Sequence, residues 1–192
     1  IAIIRQKYAS YGGAEKFSAQ YIDHLAQLGY EVHVFAREWT TSGHPNVHLH
    51  TITIKSKSSI LRLLEFNQKL KREISKYSFD LIQSHERTTF QDIYRAGDGC
   101  HKEWLTKRKK YNPIKGWLSF LNPFHWAILK IEHEIFASDN YKKIIAISKM
   151  VKKDIQNHYK LPDKDISVIY NGTSLKRFHP DNRFECRSYI RQ

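Results

Sequence analysis

At 192 residues the chain is long enough for one well-buried domain and too short for two full Rossmann-like domains. Its composition, 41% hydrophobic and 27% charged, is that of a globular protein, and no apolar run approaches the roughly 18 residues of a membrane span. The formal charge of +13 calls for a polyanionic partner, which nucleic acid, an acidic membrane face and a phosphorylated substrate would all satisfy.

Short β-branched runs alternate with amphipathic stretches of helical period, the pattern of βαβ units on a parallel sheet. Residues 1–5 (IAIIR) read as the opening strand, and a polar loop leads to Gly12-Gly13. The next helix carries Ala14, Phe17, Tyr21, Leu25 and Leu28 at steps of three and four, with Gly29 as its C-terminal cap. Residues 31–36 (EVHVFA) read as a second strand, and residues 47–54 (VHLHTITI) as a third after a Gly-His-Pro-Asn turn. A long helix follows over roughly residues 59–76, with Leu63, Phe66, Leu70 and Ile74 on one face, then a strand at residues 79–84 (FDLIQS). Residues 93–96 (IYRA) form a further short strand, and Gly97-Asp98-Gly99 punctuates a loop.

Residues 101–136 differ in kind: basic, rich in aromatics, broken by Asn112-Pro113 and Asn122-Pro123, and helical in between. Order resumes with a strand at 143–147, a helix at 148–160 and a strand at 166–170. The predicted fold class is α/β, a Rossmann-like, mostly parallel sheet with helices on both faces. Residues 1–172 form the domain, with a helical basic and aromatic insertion at about 101–138, and residues 173–192 read as a linker.

The chain opens without an initiator Met and without the features of a secretory signal, so a few leading residues, not a targeting segment, are expected upstream. Two cysteines, Cys100 and Cys186, are too few for a disulfide framework and suit a reducing compartment, which makes cytoplasmic the default.

Three segments in order, GGAEK at 12–16, AISKMVKKDI at 146–155 and VIYNGTSLKRFHP at 168–180, resemble the family 4 retaining glycosyltransferases. Between them, DIYRAGDGCHKEWL at 92–105 resembles the subgroup that adds glucose to heptose in the bacterial lipopolysaccharide inner core. The resemblance implies the N-terminal, acceptor-binding half of a GT-B enzyme, with residues 173–192 leading into a donor-binding domain. It also implies a sugar nucleotide as donor substrate, no other cofactor, no bound metal, and hexose transfer with retained anomeric configuration.

A glycine pair between a strand and a helix lets backbone approach a ligand and leaves N–H groups at the positive end of the helix dipole. Gly12 and Gly13 are therefore the candidate seat for the donor diphosphate, the role the resemblance implies, although the same residues also suit a plain turn and helix cap. Glu15 and Lys16 carry a weaker signal, since an acid in a first helical turn is favourable in any helix. His85, Glu86 and Arg87 follow a strand, at the carboxyl end where open α/β sheets place ligands. The resemblance makes His85 the candidate catalytic residue on the acceptor side, in a His-Glu-Arg context where the family has a His-Glu-Pro-like one. Glu86, Arg87 and Asp98 are candidate acceptor-binding residues, Asp98 serving equally well as a turn residue. Asn171 and Gly172 correspond to the family's hinge into the donor domain.

Three other patterns carry less. Glu65 and Glu73 have the spacing of the family's donor-binding glutamates, but they lie roughly 12 Å apart along one amphipathic helix without a glycine-rich approach loop, so both read as surface charges. His44, His48 and His50 suggest a metal, yet no carboxylate or cysteine stands near them in sequence, and no metal site is assigned. Cys100 lacks the histidine and acid of a nucleophilic triad.

Lys102, Lys107, Arg108, Lys109, Lys110 and Lys115 face a single acid, Glu103, with Trp104, Tyr111, Trp117, Phe120, Phe124 and Trp126 among or after them. Cations beside Trp and Phe suit a helix lying on an anionic leaflet, each nearby cation contributing about 1 kcal/mol. Lys107, Arg108, Lys109, Lys110 and Trp117 are thus candidate membrane-surface residues, the competing reading being aromatics in the core under a solvated basic face. Such docking would place the protein peripherally on the inner face of the plasma membrane, next to a lipid-linked or phosphorylated saccharide acceptor. No nucleic-acid module has its signature here, so nucleic acid is not the expected partner. The classes that compete with a transferase are a GT-B sugar-nucleotide epimerase and a non-catalytic basic binding module. The 192-residue chain alone is expected to lack turnover.

Overall fold

A computed structural model describes residues 1–7, 13–39, 43–137, 140–172, 179–183 and 187, with residues 13–16 described by backbone alone. The elements in chain order are β1 (Ala2–Ile4), α1 (Gly13–Gln27), β2 (Val32–Ala36), β3 (Val47–Thr51), α2 (Ser59–Ile74), β4 (Ile82–Ser84) and β5 (Ile93–Ala96). They continue with α3 (His101–Tyr111), α4 (Pro113–Leu121), α5 (Pro123–Ile135), β6 (Lys143–Ala146), α6 (Lys149–Tyr159), a 3-10 turn at Asp163–Asp165 and β7 (Ile166–Val168).

The seven strands form one sheet in the order β3-β2-β1-β4-β5-β6-β7. Every strand pair among the described residues is parallel, which is stricter than the mostly parallel sheet predicted. The chain starts in the middle, winds outward to β3, then returns to β4 and winds the other way. The reversal falls between β1 and β4, and such a switch point opens a crevice at the carboxyl ends of the strands.

Alternation along the strands builds two cores. Ile3, Val32, Val34 and Ala36 pack with Ile22 and Ala26 of α1, while Ala2, Ile4 and Phe35 pack with Phe66, Leu70 and Ile74 of α2. A third cluster joins Tyr94, Ala96, Ile144 and Ala146 to Ile131 and Ile135 of α5 and to Val151 and Ile155 of α6.

Most strands are a residue or two shorter than the sequence suggests, and β3 and β4 are each shorter by three. β4 begins at Ile82 because β1 offers three residues to pair with, Ala2 to Ile82 through Ile4 to Ser84, and Phe79 packs against the α2 cluster instead. β3 ends at Thr51, where β2 ends; beyond it the Thr53 carbonyl accepts from Lys69 Nζ at 2.7 Å. The two Asn-Pro pairs are helix starts. Asn112 accepts from the Lys115 N–H at 3.0 Å and Asn122 from the Phe124 N–H at 2.9 Å, each followed by Pro in the first helical turn. α3 and α4 approach so closely at Gly116 that a Cβ there would lie 2.3 Å from the Lys109 Cα. Of the expected linker, residues 173–178, 184–186 and 188–192 lie outside the described residues.

Candidate functional site

At the switch point the carboxyl ends of β1 and β4 bring Arg5, His85 and Glu86 together. Arg5 Nη1 donates to the His85 carbonyl at 3.1 Å and pairs with Glu86 Oε1 at 3.0 Å, and the Gln6 N–H donates to the same carboxylate oxygen at 3.2 Å. Burial pushes the Glu86 carboxyl up, and Arg5 and the Gln6 N–H oppose that shift.

His85 is 2% exposed and both of its ring nitrogens are engaged. Tyr21 donates its hydroxyl to Gln83 Oε1 at 3.1 Å, the Gln83 amide nitrogen lies 2.7 Å from His85 Nε2, and Ser18 Oγ lies 2.9 Å from His85 Nδ1. With Gln83 donating to Nε2, the proton sits on Nδ1 and is donated to Ser18. Burial, reinforced by Arg95 and Arg5, pushes the imidazole down to about 3, so His85 is neutral at physiological pH. In this arrangement His85 offers no nitrogen to a sugar. It ties the end of β4 to α1, the helix that Gly13 opens.

Arg95, buried near the end of β5, completes the crevice. Its guanidinium lies 4.0 Å from the centroid of Phe17 on α1 and hydrogen-bonds the side-chain oxygen of Asn171 beyond β7. The helix after the glycine pair and the Asn171-Gly172 exit therefore border the same crevice. Gly12 itself lies outside the described residues.

Arg87 and Asp98 sit to one side. Arg87 Nη1 pairs with Asp98 Oδ2 at 3.4 Å, Nη2 donates to the Gly99 carbonyl at 3.2 Å, and Nε faces Glu132 Oε1 at 3.5 Å. All three nitrogens point at protein groups, so the acceptor contact expected of Arg87 is not open in this arrangement, whereas Asp98 is 51% exposed and can take a hydroxyl.

Glu132 was given no role by the sequence. Fully buried, it accepts from the His101 N–H at 2.7 Å, the Lys102 N–H at 3.1 Å and the Tyr159 hydroxyl at 2.7 Å, capping the start of α3 from α5. Its charge, after burial itself, helps push the neighbouring Cys100 thiol up to about 12, which keeps that buried cysteine protonated and inert.

The sequence pattern of Glycosyltransferase Family 4 matches residues 11–177. The chain belongs to Glycosyltransferase Family 4. Among curated proteins, none matches it. Solved structures that share the fold include two glycosyltransferases. The crystal structure of WaaG, a glycosyltransferase involved in lipopolysaccharide biosynthesis, has a TM-score of 0.82 and 20% identity over 98% of this chain and 50% of that one. A glycosyltransferase from Rickettsia africae ESF-5 has a TM-score of 0.56 and 16% identity over 98% of this chain and 48% of that one. This Family 4 chain thus spans about half the length of each, and it carries the α/β, Rossmann-like architecture of one half of a GT-B fold.

The remaining sequence candidates of the Family 4 chain fall as follows. Glu65 latches the approach to α2, accepting from the Lys55 and Ser56 N–H groups at 3.2 and 2.9 Å and pairing with Lys69, while Glu73 pairs with Lys76. Trp117 is 61% exposed, and Tyr111, Ile114, Leu118, Leu121 and Trp126 are exposed with it, so these side chains are not core. The cations divide. Lys107 is held by Glu103 at 3.3 Å and Asp154 at 3.6 Å, Arg108 stacks 4.9 Å from the Trp104 ring and Lys109 Nζ lies 5.8 Å from the Phe120 centroid, whereas Lys110 is simply exposed. No described helix is long and apolar enough to cross a membrane.

Of the three histidines in that pattern, His48 has a carboxylate near it in space: Glu31, brought in beside β2, lies with His33 and His48 so that one ligand atom of each is within 4.8 Å of the others. His44 instead accepts from the Asn46 N–H at 3.2 Å within its turn.

Proposed function

We propose that this chain is the N-terminal, acceptor-binding half of a GT-B enzyme that transfers a hexose, with retention, from a sugar nucleotide to a lipid-linked or phosphorylated saccharide of a cell-surface glycan such as lipopolysaccharide. The observation that carries this reading is Arg95, which joins Phe17 of the diphosphate-side helix to Asn171 at the exit toward a partner lobe. The N-terminus of α1, with Gly12 and Gly13, then receives the donor diphosphate, and Glu86 and Asp98 take acceptor hydroxyls. Arg5 and Arg95 supply positive potential where charge develops on the departing diphosphate. His85 acts as a positioning residue, since its neutral ring sets α1 against β4. No bound metal is needed for this chemistry.

The exposed face of α4 and the first turn of α5, with Ile114, Trp117, Leu118, Leu121 and Trp126, supports docking on the inner face of the plasma membrane. Lys109, Lys110 and Lys115 flank that face and suit anionic lipid.

The test is acceptor-dependent transfer by the complete protein, with the product's anomeric configuration read by NMR. Retained configuration is expected, together with no turnover by the 192-residue chain alone. Epimerisation of a sugar nucleotide without an acceptor would overturn the assignment.

A further inference from the structure

β3 is the edge strand of the sheet, and His48 on it is the direct register partner of His33 on β2, their ring centroids 4.8 Å apart. Glu31 stands two residues before His33. The pair lies toward the amino ends of these strands, whereas the crevice is built on the carboxyl ends. Glu31 Oε1 is 3.3 Å from His33 Nε2 and 3.4 Å from His48 Nε2.

Those separations bear on how the three groups are used. Glu31 reaches His33 within hydrogen-bond range, but both contacts are longer than the roughly 2.7–2.9 Å a charge-assisted N–H···O bond prefers. Two ligands on a tetrahedral zinc ion with bonds of about 2.0–2.2 Å stand about 3.3–3.6 Å apart, which is the observed spacing. The remaining histidine-to-histidine edge is at most 4.8 Å and closes by rotation of the exposed His48 and Glu31 side chains.

The surroundings are those of a ligand set. His33 Nδ1 lies 2.8 Å from His50 Nε2, and His50 is fixed in turn by stacking on Phe35 at 4.5 Å. A proton on His33 Nδ1, donated to His50, leaves the Nε2 lone pair facing Glu31 and His48, the tautomer a metal requires. Beside the set lies a cavity of about 350 Å³ lined in part by Glu31, His33, Tyr77, Phe79 and Asp80, with room for a water as fourth ligand.

We propose that Glu31, His33 and His48 bind a divalent transition-metal ion of the zinc class, oriented through His50, which staples the edge strand β3 to β2. Two imidazoles and one carboxylate select zinc-like ions over magnesium or calcium, which favour all-oxygen sites.

The experiment is calorimetric titration of the metal-stripped 192-residue chain with Zn²⁺, with Mg²⁺ as control, alongside Co²⁺ titration read by visible absorption. One saturable Zn²⁺ site is expected, with tetrahedral Co²⁺ bands and no Mg²⁺ binding. His48→Ala and Glu31→Gln, both at exposed positions, should each weaken Zn²⁺ by more than about tenfold, and His50→Ala by about 10–100-fold. His101→Ala, which breaks the separate His101–His125 contact, should leave binding unchanged. Circular dichroism confirms that each variant is folded. Absence of a saturable site, or binding that survives both His48→Ala and Glu31→Gln, overturns the proposal.

Discussion

Arg95 holds Phe17 and Asn171 at once: its guanidinium lies 4.0 Å from the aromatic centroid while it donates to the amide oxygen. The strand order places β6 between Arg95's own strand and β7, so this side chain reaches past a neighbour to reach the exit. Its planar fork permits both contacts together, which an ammonium does not reproduce.

Arg95→Lys should therefore keep the charge and lose the geometry. In the complete enzyme we expect kcat/KM to fall about 10–100-fold, as misplaced catalytic groups commonly cause. Steady-state kinetics checks this, and unchanged kcat/KM would show that the bridge has no part in turnover.

His85 sets a pH dependence of stability. Its folded pKa, about 3, is below the ordinary 6.5, so between these values the unfolded chain binds the extra proton and the native state does not. The stability it confers is complete above about pH 6.5 and is lost progressively as pH falls toward 3, on the order of a few kcal/mol. His101, lowered to about 4 chiefly by burial, adds to the same slope. Urea unfolding at pH 7.5, 6, 5 and 4 measures it. His85→Gln should flatten the slope and leave the part due to His101 and the other lowered histidines, and an undiminished slope would contradict the assignment.

Glu132 gathers buried donors from three elements around the start of α3. Glu132→Ala strips two helix-start N–H groups, the Tyr159 hydroxyl and Arg87 of a shared buried acceptor, and should cost about 3–5 kcal/mol. Glu132→Gln keeps an acceptor oxygen and should cost less. Equal midpoints for wild type and both variants in urea would remove Glu132 from this role.

On anionic vesicles, Trp117→Ala combined with Leu121→Ser should reduce sedimentation more than Lys107→Gln, because Lys107 is already engaged by Glu103 and Asp154. Lys109→Gln with Lys110→Gln should lower binding in a salt-sensitive way, roughly 1 kcal/mol per charge. Binding unaffected by the Trp117 and Leu121 changes would leave α4 as a face for something other than lipid.

Periodicity made the elements readable, since strand alternation and helical spacing are local signals, and the Asn-Pro pairs marked helix starts through a capping chemistry that acts within three residues. What the sequence hid was long-range. Glu132 is an ordinary residue of an amphipathic helix until α3 is seen to begin against it. His33 escaped the histidine pattern because its partner, His48, lies fifteen residues away on another strand, and Glu31 joined the set only through the β2–β3 register. Arg5 and Arg95 carry a readable clue: an arginine at or next to the end of an otherwise apolar strand is buried beside whatever the strand ends face.

β4 meets β1 through three paired positions and β5 through two, so the strand at which the sheet's two halves join is held on one side by its shortest ladder. Backbone bonds span that seam, His85 N–H to the Ile4 carbonyl among them, and side chains add to them, Arg5 to Glu86 on one flank and Ser18 to His85 on the other. A molecule seated there would act as a rivet between two blocks, and gripping it would stiffen the scaffold that does the gripping.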